Sequence, residues 1–301
     1  MGTPEFAVAS LDILYNAGYD IVGVITSADK KGGRGRKTMI ESAVKKYAVE
    51  KGLNVLQPKN LKSAKFNEEL KALNADLQIV VAFRMLPEMV WNMPKLGTYN
   101  LHGSLLPQYR GAAPINWAVI NGEKRTGVTT FKLKHEIDTG SILLQKEIPI
   151  YPSDNATLVH NRMMYVGAEL VLETVQRILN DDINLQEQDD SKTSHAPKLN
   201  KGNTEIDFSK TTQEVYNFIR GLSLYPGAWF KIGEHTAQVY EAEMEFDNHN
   251  LETGQLLSDN KKFIKIACKD GYINVKDIKV SGKKKMAVKE LLNGFDISSF
   301  L

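Results

Sequence analysis

The chain has 301 residues, is 42% hydrophobic and 25% charged, and carries a formal net charge of +2. This is the composition of an ordinary soluble globular protein, long enough for two domains or one large one. A charge so close to zero excludes a general polyanion binder, and a single cysteine, Cys268, excludes a disulfide framework within the chain and fits a reducing cytoplasm.

From the N-terminus, residues 6–17 have helical apolar spacing, with Pro4 where a first turn accepts proline. Residues 19–26 (YDIVGVIT) are β-branched and predict a buried strand. Helices are predicted over 41–51 and 64–74, a second buried strand over 77–82 (LQIVVA), and another near 98–101. A short helix over 114–121 and a strand over 127–133 follow. This alternation predicts an α/β fold with a doubly wound, mostly parallel sheet, whose ligands sit beyond the carboxyl ends of the strands. A long helix is predicted over 157–179. Residues 181–200 are polar and read as a linker between domains 1–180 and 201–301. Beyond a helix over 214–222, short alternating strands over 228–232, 237–243, 263–268 and 272–280 predict a small β-barrel or sandwich. No run approaches the roughly 20 apolar residues of a membrane helix, and the N-terminus has no secretory pattern.

Residues 100–107 read Asn-Leu-His-Gly-Ser-Leu-Leu-Pro, and Asp138 follows in Asp-Thr-Gly. Residues i and i+2 of a strand share a face, so Asn100 and His102 project together at a strand end. An amide and a protonated imidazole are suitable donors to an oxyanion. A nearby carboxylate favours the imidazolium and accepts a proton directly or through water. The six histidines are scattered, with no metal-ligand spacing, so no metal is expected. Alone, these residues do not decide the matter. Asn-x-His at a strand end is more often a structural turn, and Asp-Thr-Gly is usually a turn as well.

The wider segment 98–144, with its Asn-x-His, Ser-Leu-Leu-Pro loop and downstream Asp, resembles the enzymes that transfer a formyl group from 10-formyltetrahydrofolate. Within that superfamily it is most similar to the methionyl-tRNA formyltransferases. Arg110-Gly-Ala-Ala-Pro114, the opening Gly2-Thr3-Pro4-Glu5-Phe6-Ala7 and Tyr225-Pro-Gly-Ala-Trp229 carry the likeness. The resemblance implies a formyltransferase Rossmann-like domain followed by a smaller OB-like β-barrel that grips tRNA. It implies Asn100 and His102 as oxyanion donors and Asp138 as the group that holds His102 charged and helps remove the amine proton. Ser104, Leu105, Leu106 and Pro107 would form part of the folate site, although ordinary core is the other reading of the two leucines. The implied cosubstrate is 10-formyltetrahydrofolate, and the implied partner is methionyl initiator tRNA. The implied setting is a cytoplasmic monomer engaged in translation initiation.

Two basic regions bear on the acceptor. In Lys30-Lys-Gly-Gly-Arg-Gly-Arg-Lys37, the resemblance nominates Arg34, with Arg36 and Lys37, for the tRNA acceptor stem. The second region is a lysine-rich C-terminal stretch that includes Lys283, Lys284 and Lys285. Such runs are otherwise solvated faces. His135, in a charged run, reads as a surface residue, and Trp229 as a packing residue.

Two features depart from the family's pattern. Members begin with a short apolar strand before Gly-Thr-Pro, whereas only Met1 precedes Gly2. The expectation is a true start upstream, and unpaired strand edges without it. In Val81-Ala-Phe-Arg-Met-Leu-Pro87, Arg84 stands where many relatives have a small residue, at the border of the folate site. A formyltransferase for a small amine is the competing enzyme. A catalytically silent RNA-binding protein on the same scaffold is the competing class.

Overall fold

The computed structural model describes residues 1–32 and 38–298. The chain divides into two compact units, one of Met1–Arg110, Gly127–Ile148 and His160–His195, the other of Gly111–Thr126, Pro149–Val159 and Ala196–Leu301.

The first unit opens with the helix Glu5–Asn16, whose N-cap is Pro4 and whose first turn holds Glu5, favourably placed at the positive end of the helix dipole. Helices Ala43–Glu50 and Ala64–Ala72 begin where Ser42 and Ser63 accept from the backbone N–H three residues on. Val24–Ile25 pairs in parallel with Val55–Leu56. The strand predicted over 19–26 is therefore shorter than expected, because only two of its residues meet a partner. A separate four-stranded sheet runs Gln78–Val81, Thr98–His102, Arg125–Lys132, Ile142–Pro149. Its first pair is parallel and its second antiparallel. Buried Ile25, Phe66, Leu70, Val80 and Val90 form one core of this unit, and Tyr99, Leu143 and Ile178 another.

The first residues of the chain lie between the two parallel edges. The Met1 amine donates to Ile79 O at 2.6 Å. Val81 N donates to Met1 O at 2.9 Å, and Gly2 N to Ile25 O at 3.0 Å. Burial pushes the amine down to about 5. Gly2 has no room for a side chain: a Cβ there would lie 2.5 Å from Ala7 Cβ and 2.9 Å from Val81 O. A cavity of about 330 Å³ separates the edges, lined by Leu14, Val24, Ile25, Leu70, Ile79 and Val81 among others.

In the second unit, the strands run Ala228–Ile232, His235–Phe246, Gly271–Val280, Ile264–Cys268, Leu256–Ser258 across one antiparallel sheet, with Met286–Ala287 added on Gly271–Val280. Register shifts between Val239 and Ala242 bulge the long strand. A bulge bends and twists a strand, and the sheet curls into a half-barrel. Helix Thr212–Leu222 starts at a reciprocal capping box between Thr211 and Glu214. Ile219 and Leu222 of this helix share one core with Val239, Ile266, Ile273 and Ile278. Among the described residues no helix is long and apolar enough to cross a membrane.

Candidate active site

The strand Thr98–His102 is buried at every position except Asn100, which is half-buried. Alternation places Asn100 and His102 on one face. His102 Nε2 donates to Tyr109 O at 2.9 Å, which fixes the ring. Nδ1 then faces Asp138 Oδ2 at 3.8 Å, with the two side chains 7% and 15% exposed. That gap exceeds a direct hydrogen bond, so a proton on Nδ1 can be shared with a guest oxygen or a water.

The loop after His102 is tied down from within. Ser104 Oγ donates to Gln108 O at 2.6 Å, and Thr129 Oγ1 donates to Ser104 O at 2.6 Å. Thr129 Oγ1 also accepts from Leu106 N at 3.1 Å, and Gln145 Nε2 donates to Leu106 O at 2.8 Å. Ser104 and Leu106 are buried, whereas Leu105 and Pro107 are half-buried. Leu105 packs over Gly127, where a Cβ would come within 2.5 Å of its Cδ2.

Asp138 sits in a left-handed conformation with φ 55°, and Tyr109 does the same with φ 59°. Such backbone costs on the order of 1–3 kcal/mol per residue and needs surrounding bonds to hold it. Those bonds come from residues 186–194. Gln188 Nε2 donates to both Asp138 O and Gly140 O at 2.8 Å. Its Oε1 accepts from Arg110 Nε at 3.0 Å and from an Arg110 terminal nitrogen at 2.7 Å. The same guanidinium donates to Asp190 at 2.8 Å. Ser194 Oγ accepts from Tyr109 N at 2.9 Å, and Ser194 O from Arg110 N, also at 2.9 Å. Gln186 exchanges backbone bonds with Ile142, and Glu187 accepts from Ser141 and Lys134, each at 2.7 Å.

Lys134 and then Ser141 hold the Glu187 carboxyl below its usual value. A carboxyl depressed in the fold contributes stability that is full above its unfolded pKa and is lost as pH falls through the folded value. Amide exchange over residues 134–142, corrected for the intrinsic rate, is therefore expected to accelerate only as pH falls below about 4.5, the ordinary carboxyl value from which Glu187 is lowered. The Glu187→Gln variant is expected to lack that acceleration, and an identical pH response in the two proteins would contradict the assignment.

Arg84 does not fill the space at the end of strand Gln78–Val81. Its guanidinium turns back to donate to Lys59 O at 3.0 Å and to Pro58 O. It lines a cavity of about 520 Å³ with Lys59, Lys62, Leu86, Trp91 and His135. His135 is exposed, and Trp229 packs, with its Nε1 donating to Lys201 O at 3.0 Å. Arg34, Arg36 and Lys37 lie outside the described residues. Lys283, Lys284 and Lys285 fall between strands Gly271–Val280 and Met286–Ala287. Lys283 Nζ lies 3.4 Å from Gly294 O, and Lys285 pairs with Asp277 at 3.1 Å. Lys265 and Lys276 pair with Glu245 and Glu243, each at 2.7 Å. Part of the basic stretch is therefore neutralised by its own sheet. Sequence reasoning missed the Tyr109 carbonyl, Thr129, Gln145 and Gln188. None carries a motif.

The family model described as Formyl transferase matches residues 1–175, and the one described as Formyl transferase, C-terminal domain, matches residues 198–296. The methionyl-tRNA formyltransferase of Bacteroides thetaiotaomicron is 51% identical over 307 residues, covering 99% of this chain and 95% of that protein. That of Flavobacterium johnsoniae is 53% identical over 303 residues, covering 99% and 96%. Among solved structures, an N-formyltransferase from Helicobacter canadensis, in complex with folinic acid and dTDP-3-aminofucose, has the same fold. Its TM-score is 0.65 at 21% identity, over 95% of this chain and 97% of that one.

Proposed function

The chain belongs to the formyl transferase family, and we propose that it moves a formyl group from 10-formyltetrahydrofolate to the free amino group of methionyl initiator tRNA. The observation that carries this is the constellation at the end of one strand: Asn100 and His102 on a common face, with His102 Nδ1 directed at Asp138 across 3.8 Å. Relatives about half identical over nearly the whole chain carry the name of that activity.

The folate donor supplies a formyl carbon bonded to nitrogen, and the residues here suit it. The cavity beside Arg84 combines apolar Leu86 and Trp91 with the cations of Lys59, Lys62 and Arg84, which matches a flat ring system with an anionic tail. Ser104, Leu105, Leu106 and Pro107 form the loop after His102 that contributes to the folate site in this reading, held in shape by Thr129 and Gln145. Asn100 donates its amide N–H, and His102 its Nδ1–H, to the formyl oxygen as the methionyl amine adds to the carbon and negative charge builds there. Asp138 accepts the proton the amine gives up, directly or through water, and holds the imidazolium. That proton goes to the departing folate nitrogen. Asn100 and His102 act in place, without reorganisation, which is what makes such donors effective.

On the acceptor side, Arg34, Arg36 and Lys37 contact the acceptor stem, and Lys283, Lys284 and Lys285 add phosphate contacts, with the protein acting as a monomer in the cytoplasm. Six such contacts predict that tRNA affinity falls roughly 10³-fold between about 0.05 and about 0.2 M salt. A salt-independent dissociation constant would remove the phosphate contacts from the account. The acceptor itself is tested by following folate release with charged initiator tRNA and with a nucleotide-linked amino sugar in parallel. Release only with the sugar would favour the small-amine reading.

A further inference from the structure

We propose that Gln188 is a positioning residue for formyl transfer, and that the strip 186–194 acts as one brace setting the His102–Asp138 separation. This rests on the reading of His102 and Asp138 given above. The two groups approach from distant parts of the chain, one at the end of strand Thr98–His102 and one in the 133–141 loop. Each is held through a residue in left-handed backbone: Tyr109 on the histidine side, Asp138 itself on the other. Gln188 closes the gap between them. Its amide nitrogen holds Asp138 O and Gly140 O, each at 2.8 Å. Its amide oxygen is gripped by Arg110, directly after the Tyr109 whose carbonyl orients His102. Ser194, six residues on, takes the Tyr109 and Arg110 N–H groups. One glutamine side chain therefore links the backbone of the Asp138 loop to the Arg110 guanidinium beside the Tyr109 support of His102, and only an amide does so. It needs donors toward the loop and an acceptor toward Arg110, and no other side chain of that length carries both.

Gln188→Glu separates the two halves of this role. A carboxylate keeps the acceptor that Arg110 grips but offers no N–H to Asp138 O and Gly140 O, and it places negative charge against two carbonyls. The expected result is a 10- to 100-fold lower kcat, on the order of what a slight misplacement of reacting groups costs. KM for charged tRNA and for folate should stay within about threefold, since Gln188 touches neither substrate in this account. Amide exchange over residues 138–141 should accelerate while that of the strand Thr98–His102 does not. Arg110→Lys, which keeps the charge but loses the fork, should show the same pattern more weakly, and it serves if Gln188→Glu does not fold. A kcat within twofold of the unmodified protein in both variants would overturn the inference, as would a parallel rise in KM. The wild-type chain also separates this inference from the function. If it transfers no formyl group to charged tRNA, the functional reading fails, while unchanged exchange at 138–141 in Gln188→Glu would still refute the brace.

Discussion

Replacing His102 with alanine is expected to lower kcat by about 10²- to 10³-fold, the usual cost of removing a single oxyanion donor. The substitution removes the ring nitrogen that faces Asp138 and that, in the proposed mechanism, donates to the formyl oxygen. It also removes the 2.9 Å hydrogen bond that His102 Nε2 donates to the Tyr109 carbonyl in the native protein. Losing one such hydrogen bond costs about 0.5–1.5 kcal/mol. That lowers the melting temperature without unfolding the unit, whose cores lie elsewhere. The two effects separate experimentally: the stability loss appears in the melt, and the catalytic loss in kcat with KM little changed. Asp138→Asn keeps the shape and the Gln188 bonds to the backbone but removes the proton acceptor. It is expected to lose activity with a smaller change in the melt. Turnover near the native value in His102→Ala would remove the imidazole from the mechanism.

Among the described glycines, Gly140→Ala is expected to be the most damaging added methyl. A Cβ at Gly140 would lie 1.7 Å from Lys132 O and 2.9 Å from Phe131 Cδ2. The nearest atom is backbone, and that backbone is pinned, since Lys132 N donates to Ser141 O at 3.0 Å. Neither side can yield without breaking the rung that returns the Asp138 loop to the sheet. A loss of about 2–5 kcal/mol in stability is expected, with about a 10²-fold loss in kcat from displacement of Asp138. Gly254→Ala is the control. It meets nothing within 4 Å, and only its φ of +87° opposes a side chain, a cost of about 1 kcal/mol with kcat unchanged. Equal effects of the two substitutions would show that the loop is not held as described.

The site is legible in the sequence to the extent that its residues obey local geometry. Asn100 and His102 follow from a two-residue period on a buried strand, and the structure places that strand at Thr98–His102. Asp138 has no local signature and is found only through likeness to a family. Gln188 could not be found at all. It acts through two carbonyls and one guanidinium some 50 and 78 residues away, and contacts of that range leave no periodic trace. The strand Ile142–Pro149 was equally hidden, because Gln145-Lys146-Glu147 interrupt its apolar alternation and lie partly exposed. Residues 19–26 have the composition of a full strand, yet pair at only Val24 and Ile25. β-propensity describes a surface that fits a neighbour and does not supply the neighbour.

The most direct measurement is a single-turnover reaction with folate carrying a labelled formyl group, using charged initiator tRNA as acceptor. The label is expected on the methionyl amine with the wild-type chain, and at least 10²-fold more slowly with His102→Ala. Label that stays on folate with the wild-type chain, or that moves equally fast with both proteins, would contradict the proposed mechanism.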